Sequence, residues 1–228
     1  MEYPLVSVII PVINCENYIE ESINSVLYQN YKNIELIVID GHSTDKTPKI
    51  AKSFKEVQFI TQTNPGITEA FNLGIKLAGG DFIAFQSGDD IWIKKKLNTQ
   101  IKFLLSNTDI ECITAKFRYF IDKKKELPIG FKKNLINKDL SGPTLETFIA
   151  RKSLFDRVGI FDVTYSSALD VEWFTRLNDM NIKMHTIQDV LLLKRIHNQN
   201  ISLNEKNNQN QVLSALRKSI KWRRINNE

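Results

Sequence analysis

Four short runs of apolar, mostly β-branched residues constrain this chain more than any other feature of its sequence. Each run has almost no polar alternation, and segments with helical spacing separate one run from the next. A strand without polar alternation is buried on both faces, which is typical of a parallel sheet covered by helices. The pattern therefore predicts an α/β fold with a mostly parallel sheet and helices on both faces. The predicted strands are 5–13, 34–40, 57–62 and 82–86, and the predicted helices are 18–29, 48–54 and 67–78.

Small and polar residues stand where these strands end, at 11–14 (PVIN), 40–43 (DGHS), 63–66 (TNPG) and 87–90 (SGDD). In open sheets of this kind a ligand binds beyond the carboxyl ends of the strands. Asp40 directly ends an apolar strand, where a charge that only improves solubility is not expected. We therefore interpret Asp40 as a candidate functional residue, and a role in the turn is the alternative.

The stretch 79–92, GGDFIAFQSGDDIW, ends a buried strand in paired carboxylates. Ionised carboxylates are costly beside a core unless something cationic pairs with them. One interpretation is a turn in which an aspartate caps a helix that begins at Trp92. The other is a divalent-cation site in which the metal bridges to the phosphates of a ligand. This stretch alone leaves both interpretations open.

Two common nucleotide-binding motifs are absent. No Gly-x-Gly-x-x-Gly follows the first strand, and residues 41–47 (GHSTDKT) lack the spacing of a phosphate-binding P-loop. A nucleotide would therefore be held by a metal and by carboxylates at the strand ends.

The second half of the chain adds a candidate general base. Asp170 opens a predicted helix, and Trp173, Phe174 and Leu177 follow it on the same face. The aspartate is either a helix cap or a base that the helix dipole would keep ionised. The other predicted elements are a helix at 94–105 whose Lys94–Lys96 run faces solvent, a strand at 110–121, a charged loop at 123–133, a helix at 152–158 and a strand at 187–193.

Arg195 and His197 follow that last strand and alternate with Ile196, so both can point to one side of the strand end. A single histidine is more often structural. Beside an arginine at a strand end, it could instead reach a phosphate or a metal.

Charge is concentrated at the end of the chain. The 228 residues carry a net charge of +5, and residues 205–228 account for +4 of it, so the rest is nearly neutral. This distribution argues against a nucleic-acid-binding body. The composition, 42% hydrophobic and 25% charged, is typical of one soluble domain, and no apolar run is long enough to span a membrane. The two cysteines have no metal-type spacing, and reduced cysteines in the cytoplasm are the expectation.

The basic tail is predicted to be helical over 211–224. Val212, Leu213, Leu216 and Ile220 form one apolar stripe along it. The stripe is expected to dock on the catalytic body or on a second subunit, which would make a homo-oligomer. The alternative is peripheral contact with the anionic inner face of a membrane.

Six segments, taken together and in this order, resemble the family 2 glycosyltransferases of the GT-A fold, which is Rossmann-like. The resemblance covers residues 6 to 202, and the individual segments are VSVIIPVIN, ELIVIDGHSTDKT, GITEAFNLGIKLAGGDFIAFQSGDDIW, DRVGIFD, ALDVEWFTRL and LLLKRIHNQNIS. It implies a catalytic domain at 1–203, with a nucleotide-binding part at 1–107 and an acceptor part at 108–203, followed by a helical tail at 204–228.

The resemblance also implies residue roles. Asp89 binds Mn²⁺ or Mg²⁺ together with His197, Arg195 and His197 lie near the diphosphate, and Asp170 is the catalytic base. The nucleotide would be held by Pro11, Ile13, Asp40, Asn72, Ser87, Gly88 and Asp89. The implied reaction is inverting transfer of a sugar from a UDP-sugar to a hydroxyl of a glycan or lipid-linked acceptor, in the synthesis of cell-surface polysaccharide at the cytoplasmic side of the membrane.

The chain departs from the family pattern at three places. Ser87 stands where the family often has aspartate, and Leu169 stands where glutamate often precedes the base. The Gln-x-x-Arg-Trp motif of the processive synthases is missing, so a non-processive enzyme is expected. Because Ser87 replaces an aspartate of the acidic motif, an inactive nucleotide-sugar-binding module is the alternative. A sugar-1-phosphate nucleotidyltransferase is disfavoured because residues 11–17 (PVINCEN) are not a Gly-rich loop with arginine.

Overall fold

A single nine-stranded sheet crosses the molecule in the computed structural model, which describes residues 3–123, 125–200 and 205–226. Its strands are β1 (Val6–Val12), β2 (Ile34–Asp40), β3 (Val57–Thr61), β4 (Phe82–Phe85), β5 (Ile91–Trp92), β6 (Cys112–Phe120), β7 (Asp139–Leu140), β8 (Ile149–Arg151) and β9 (Met184–Arg195). The helices are α1 (Ile19–Leu27), α2 (Thr47–Ala51), α3 (Ile67–Leu77), α4 (Lys96–Ser106), α5 (Lys152–Val158), α6 (Leu169–Asp179) and α7 (Glu205–Asn226).

The strand order brings several strand ends to one edge of the sheet. The order is β3-β2-β1-β4-β8-β6-β9-β5, with β7 beside β6. The first four strands are mutually parallel. Strand β8 is antiparallel to both β4 and β6, and β9 is parallel to β6, so β6 and β9 run in the same direction as β1 to β4. The predicted α/β fold with a mostly parallel sheet is confirmed, and the carboxyl ends of β1, β2, β4, β6 and β9 share one edge.

Two apolar cores cover the two faces of the sheet, because successive side chains of a strand point to opposite faces. In β1, Ile9 packs in one core with Phe85 and with Trp173 of α6. Its neighbours Val8 and Ile10 pack in the other core, against α1 and α4. All three β1 side chains are fully buried, and each contributes about 1.5–3 kcal/mol of hydrophobic stabilisation. Burial on both faces explains why β1 has no polar alternation.

The predicted helix start at Trp92 is wrong. Ile91 and Trp92 form a two-residue strand that pairs with Leu193 and Leu192 of β9. Helix α4 begins only at Lys96. Cross-strand pairing with a strand a hundred residues later has no local signal, so the sequence pattern could not reveal it.

The predicted exposed lysine run is wrong at Lys96, which is fully buried. Its ammonium lies 4.0 Å from the centre of the Trp92 ring, where a cation–π interaction partly replaces hydration. Burial lowers the pKa of Lys96 well below its ordinary value. Lys94 and Lys95 are exposed as predicted.

Helix α7 forms as predicted but docks through a different face. Ala215 and Ser219 are buried against α6, while Leu213, Leu216 and Ile220 are 44–53% exposed. Ser219 donates a hydrogen bond to Asp179 (2.8 Å). Small residues permit close helix approach and the polar contacts fix the register. The expected docking of the apolar stripe on the catalytic body is therefore wrong for Leu213, Leu216 and Ile220, and docking on a second subunit stays a prediction. No helix in the described ranges combines the length and apolarity that a membrane span requires.

Adjacent residues of α7 test which face docks. Ala215→Asp should lower the free energy of unfolding by roughly 2–4 kcal/mol, because it buries an unpaired charge. Leu216→Asp should change it by less than about 0.5 kcal/mol, because that side chain points to solvent. Urea unfolding of both variants measures the difference, and a larger effect at position 216 would contradict the observed packing.

Candidate active site

The ends of β1 and β2 form the first part of the site. Asp40, the last residue of β2, is 2% exposed, and its carboxylate accepts the backbone N–H of Ser43 (3.2 and 3.3 Å to the two oxygens). Asn14 lies at a positive φ of 50° and its amide oxygen accepts the N–H of Thr44 (2.9 Å). These bonds join the two loops and leave the side chain of Ile13, 52% exposed, at the sheet edge.

Gly88 lets the end of β4 approach the end of β1. A Cβ at this position would lie 3.0 Å from a methyl of Val12 and 3.1 Å from the Cys15 sulfur. Either neighbour would have to move to admit a side chain. Pro11 is buried in β1 itself, so of the predicted pair Pro11 and Ile13 only Ile13 is open to a ligand.

Asp89 and His197 meet at the site, as the sequence analysis predicts for two metal-binding residues. The Asp89 carboxylate lies 2.9 Å from His197 Nε2 and accepts a hydrogen bond from Asn200 (3.2 Å). His197 Nδ1 accepts the N–H of Gln199 (3.2 Å), so the neutral tautomer with its proton on Nε2 fits both contacts. The imidazole stacks on Tyr18 at 4.6 Å between ring centres, which fixes its plane.

Arg195 lies beside Asp89 but is 3% exposed. Its Nε donates to the backbone carbonyl of Asp89 (2.9 Å), and its two terminal nitrogens pair with the carboxylates of Asp122 and Glu21. The guanidinium also lies 4.6 Å from the centre of the Phe120 ring. Every guanidinium nitrogen is thus engaged by protein, and Arg195 joins α1, the end of β6 and the end of β4 rather than facing outward.

Asp90 is not a helix cap, which corrects the first interpretation of the acidic pair. Its carboxylate is buried and accepts the backbone N–H of Arg195 (2.9 Å). Lys194 approaches it to 3.7 Å. Burial raises the pKa of Asp90 well above its ordinary value. Asp90 therefore ties the end of β4 to β9.

Asp170 is the second residue of α6 and is half-buried. Its Oδ1 accepts the N–H of Val171 (2.8 Å). We expected the helix dipole to favour the ionised form, but burial raises the pKa of Asp170 above its ordinary value. A carboxylate with a raised pKa is a stronger base once ionised, as a general base requires.

The tail holds the loop that precedes Asp170. The side-chain oxygen of Gln211 in α7 accepts the N–H groups of Ser166 and Ser167 (2.9 Å each) and of Ala168 (3.3 Å). Gln211 thus satisfies three backbone donors of the loop that leads into α6. No sequence pattern predicts this contact, because a glutamine in a polar helix is ordinary.

Glu146 and Lys194 form an ion pair at the site that sequence reasoning missed. Their charged atoms are 2.9 Å apart, and Glu146 also accepts hydrogen bonds from the hydroxyls of Ser87 (2.9 Å) and Thr144. Burial acts to raise the pKa of Glu146, but Lys194 and the Thr144 hydroxyl outweigh it and lower that pKa to about 2. Glu146 and Asp90 in turn raise the pKa of Lys194, against the effect of burial. The pair is therefore ionised at neutral pH.

Asn72 lies apart from these groups. It is 1% exposed, and its amide exchanges two hydrogen bonds with the backbone of Phe161 (2.9 and 3.0 Å). These bonds join α3 to the turn at residues 159–162. Asn72 is thus committed to packing, and we leave it out of the proposed nucleotide site.

Within the part of the chain that the structure describes, no three His, Cys, Asp or Glu side chains form a cluster that could hold a metal alone. A cation at Asp89 would need further ligands from a bound phosphate group or from water, which is how Mg²⁺ and Mn²⁺ are commonly held beside nucleotides.

The fold is that of the GT-A glycosyltransferases. The structure superposes on S. aureus TarS in complex with UDP-GlcNAc with a TM-score of 0.78 and 21% identity, covering 96% of this chain and 66% of that one. A mannosyltransferase of Pyrobaculum calidifontis, in complex with GDP-Man and Mn²⁺, gives 0.76 and 19%, covering 97% and 65%. At these identities the likeness establishes the fold.

The sequence pattern of Glycosyl transferase family 2 matches residues 7–168, and the chain belongs to this family. Asp170, Arg195 and His197 lie beyond the matched range. An uncharacterized glycosyltransferase of Rickettsia typhi is 35% identical over 211 residues, 85% of this chain and 64% of the relative. The Escherichia coli enzyme WfgD, named as a UDP-Glc:α-D-GlcNAc-diphosphoundecaprenol β-1,3-glucosyltransferase, is 44% identical over 110 residues, 47% of this chain and 44% of the relative. The chain thus spans less than two thirds of the length of these relatives.

Proposed function

We propose that this glycosyltransferase moves a sugar from a nucleotide-sugar donor to an acceptor hydroxyl and inverts the configuration at the anomeric carbon. The observation that carries the proposal is that Asp89 and His197 are in contact while Asp170 is close enough to Glu146 and Lys194 for their charges to act on its carboxyl. One part of the site offers a carboxylate and an imidazole for a metal diphosphate, and another offers a half-buried carboxylate as a base.

The nucleotide is expected at the ends of β1 and β2. Ile13 offers an exposed apolar side chain for a base, and Asp40 offers a carboxylate whose acceptor capacity is only partly used by Ser43. Ser87 and Gly88 continue this surface toward Asp89. UDP is the proposed nucleotide, because the name of WfgD and the ligand of TarS both contain uridine diphosphate.

The donor set at Asp89 fits a divalent cation. The Asp89 side chain is 21% exposed, and His197 Nε2 beside it becomes a ligand in the neutral tautomer that carries its proton on Nδ1. Mn²⁺ or Mg²⁺ bound here would neutralise the charge that grows on the leaving nucleoside diphosphate. Arg195 holds the backbone of Asp89 in place, and we assign it this positioning role rather than direct contact with the diphosphate.

Asp170 would take the proton from the attacking hydroxyl of the acceptor. The hydroxyl oxygen then forms a bond to the anomeric carbon while the bond from that carbon to the diphosphate oxygen breaks. Attack from the face opposite the leaving group inverts the configuration. Because the proposed base Asp170 and the proposed metal ligand Asp89 are both present, we favour an active transferase over an inactive nucleotide-sugar-binding module.

The acceptor is proposed to be a glycan or a lipid-linked sugar, bound by the part of the chain from about 108 to 203. The relative WfgD is named for a diphosphoundecaprenol-linked GlcNAc acceptor. A lipid-linked acceptor would require the enzyme to work at a membrane surface, in the synthesis of cell-surface polysaccharide.

The acidic pair tests the donor site. Asp89→Ala should abolish Mn²⁺-dependent binding of UDP, because it removes the proposed metal ligand. Asp90→Ala should retain most of that binding but unfold at lower denaturant concentration, because it breaks the buried hydrogen bond to Arg195. Calorimetry with UDP and MnCl₂, together with urea unfolding, measures both effects. Equal losses of binding from the two variants would argue against Asp89 as the metal ligand.

The base is tested by Asp170→Asn. The variant keeps the size and polarity of the side chain, so UDP affinity should be nearly unchanged. Turnover of the donor should fall by roughly 10²-fold or more, the usual scale for a lost general base. A rate near that of the wild-type protein would assign Asp170 to helix capping, where asparagine substitutes well.

The exposed face of α7 is proposed to touch an anionic membrane surface. It carries three apolar and three basic exposed side chains, Leu213, Leu216, Ile220, Arg217, Lys221 and Arg224. Each basic residue near such a surface contributes about 1 kcal/mol. This face points away from the one that docks on α6, so membrane contact and docking are compatible.

Co-sedimentation with vesicles containing phosphatidylglycerol tests this contact. Replacement of the three basic residues of the exposed face by glutamine should remove salt-sensitive binding. The matched control replaces Lys49, Lys55 and Lys76, which are exposed elsewhere, and should bind as the wild-type protein does. Equal binding by both triple variants would leave association with a second copy of the chain as the better explanation for the exposed apolar residues.

A further inference from the structure

The Glu146–Lys194 pair is close both to the strand end that carries the proposed metal ligand and to the proposed base. On one side, Glu146 accepts the hydroxyl of Ser87, two residues before Asp89. On the other side, both members of the pair act electrostatically on the carboxyl of Asp170, Glu146 raising its pKa and Lys194 lowering it. The pair is therefore close to both ends of the interval between Asp89 and Asp170, where the reaction would take place.

The transferred sugar has to occupy this same interval, if the proposed function holds. Its anomeric carbon is bonded to the diphosphate, which the proposal assigns to Asp89, and it is approached by a hydroxyl that Asp170 deprotonates. Any side chain that borders the space between Asp89 and Asp170 is then within reach of the ring of the sugar. Glu146 is 16% exposed and Lys194 is 22% exposed at the side chain, so both are partly open to that space.

The pair has unused hydrogen-bonding capacity. A carboxylate accepts about four hydrogen bonds, and Glu146 receives three, from Ser87, Thr144 and Lys194. The ammonium of Lys194 has three donors, of which Glu146 takes one at 2.9 Å and Thr144 a second at 3.5 Å, while the Asp90 carboxylate lies at 3.7 Å, beyond hydrogen-bond distance. An acceptor on Glu146 and a donor on Lys194 thus remain for a ligand. Sugar hydroxyls both donate and accept, so they match this combination.

We propose that Glu146 and Lys194 are specificity-determining residues that bind hydroxyl groups of the transferred sugar, an uncharged pyranose. The proposal rests on the proposed function and extends it to the sugar. Hydrogen bonds to charged groups are roughly twice as strong as neutral ones, so a carboxylate and an ammonium discriminate well between a hydroxyl and its absence. Ser87 and Thr144 orient the carboxylate and leave its remaining acceptor position toward the sugar.

The test compares UDP with UDP-glucose by calorimetry in the presence of Mn²⁺. The wild-type protein should bind UDP-glucose with a lower dissociation constant than UDP. The dissociation constant of UDP divided by that of UDP-glucose measures the contribution of the sugar. Glu146→Gln should reduce this ratio by about fivefold or more and leave the affinity for UDP unchanged within about twofold. The affinity of the wild-type protein for UDP reports on the proposed function, and the ratio reports on this inference.

Two further variants separate sugar contact from structural damage. Glu146→Asp keeps the charge beside Lys194 but shortens the side chain, so it should remain folded and still reduce the ratio. Glu111→Gln is the matched control, because Glu111 forms an ion pair with Arg157 at the start of β6, on the opposite edge of the sheet. It should leave the ratio unchanged. A ratio near one in the wild-type protein, or equal ratios in the wild-type protein and both Glu146 variants, would overturn the proposal.

Discussion

The junction between the ends of β4 and β9 is the constraint on which the candidate site depends. The backbone N–H of Arg195 donates to Asp90, and its side chain donates to the carbonyl of Asp89 across 106 positions of sequence. His197, two residues further, reaches the Asp89 carboxylate. A strand that pairs in parallel with β6, and therefore ends at the same edge as β4, makes these contacts possible. Without the junction, the proposed metal ligands would belong to two independent loops.

Negative charge is concentrated at this junction, and the protein balances it with two cations, the buried Arg195 and the partly buried Lys194. The guanidinium of Arg195 pairs with the carboxylates of Asp122 and Glu21 and donates to the carbonyl of Asp89. The ammonium of Lys194 lies between the carboxylates of Glu146 and Asp90. Buried carboxylates are costly unless they are paired and hydrogen-bonded, and Lys194 reduces that cost for both Glu146 and Asp90. The partners of Arg195 are more exposed, since Asp122 and Glu21 keep 33% and 59% of their side-chain surface open to solvent. Arg195 has no guanidinium nitrogen left for a bound diphosphate, so a metal at Asp89 would supply the positive charge that the diphosphate needs. This is the electrostatic reason for the metal dependence that we propose.

The parts of the structure that follow from local periodicity could be predicted from the sequence. Continuous apolar runs identified β1 to β4, and the position of Asp40 and Asp89 at strand ends followed from the parallel arrangement. Contacts between distant segments could not be predicted. Glu146 and Gln211 carry no periodic or motif signal, Lys96 looked like a solvent-facing residue, and the two-residue strand β5 exists only because β9 lies beside it. The docking face of α7 was misjudged because small and polar residues, not the apolar stripe, make the contact.

The central claim is that a metal diphosphate binds at Asp89 on the same edge as Asp170. Anomalous diffraction from crystals grown with Mn²⁺ and UDP tests it most directly, because manganese is located independently of the remaining density. The account predicts one strong manganese peak within coordination distance of the Asp89 carboxylate, with the uracil ring toward Ile13 and Asp40. A manganese peak away from Asp89, or UDP bound at another edge of the sheet, would contradict it.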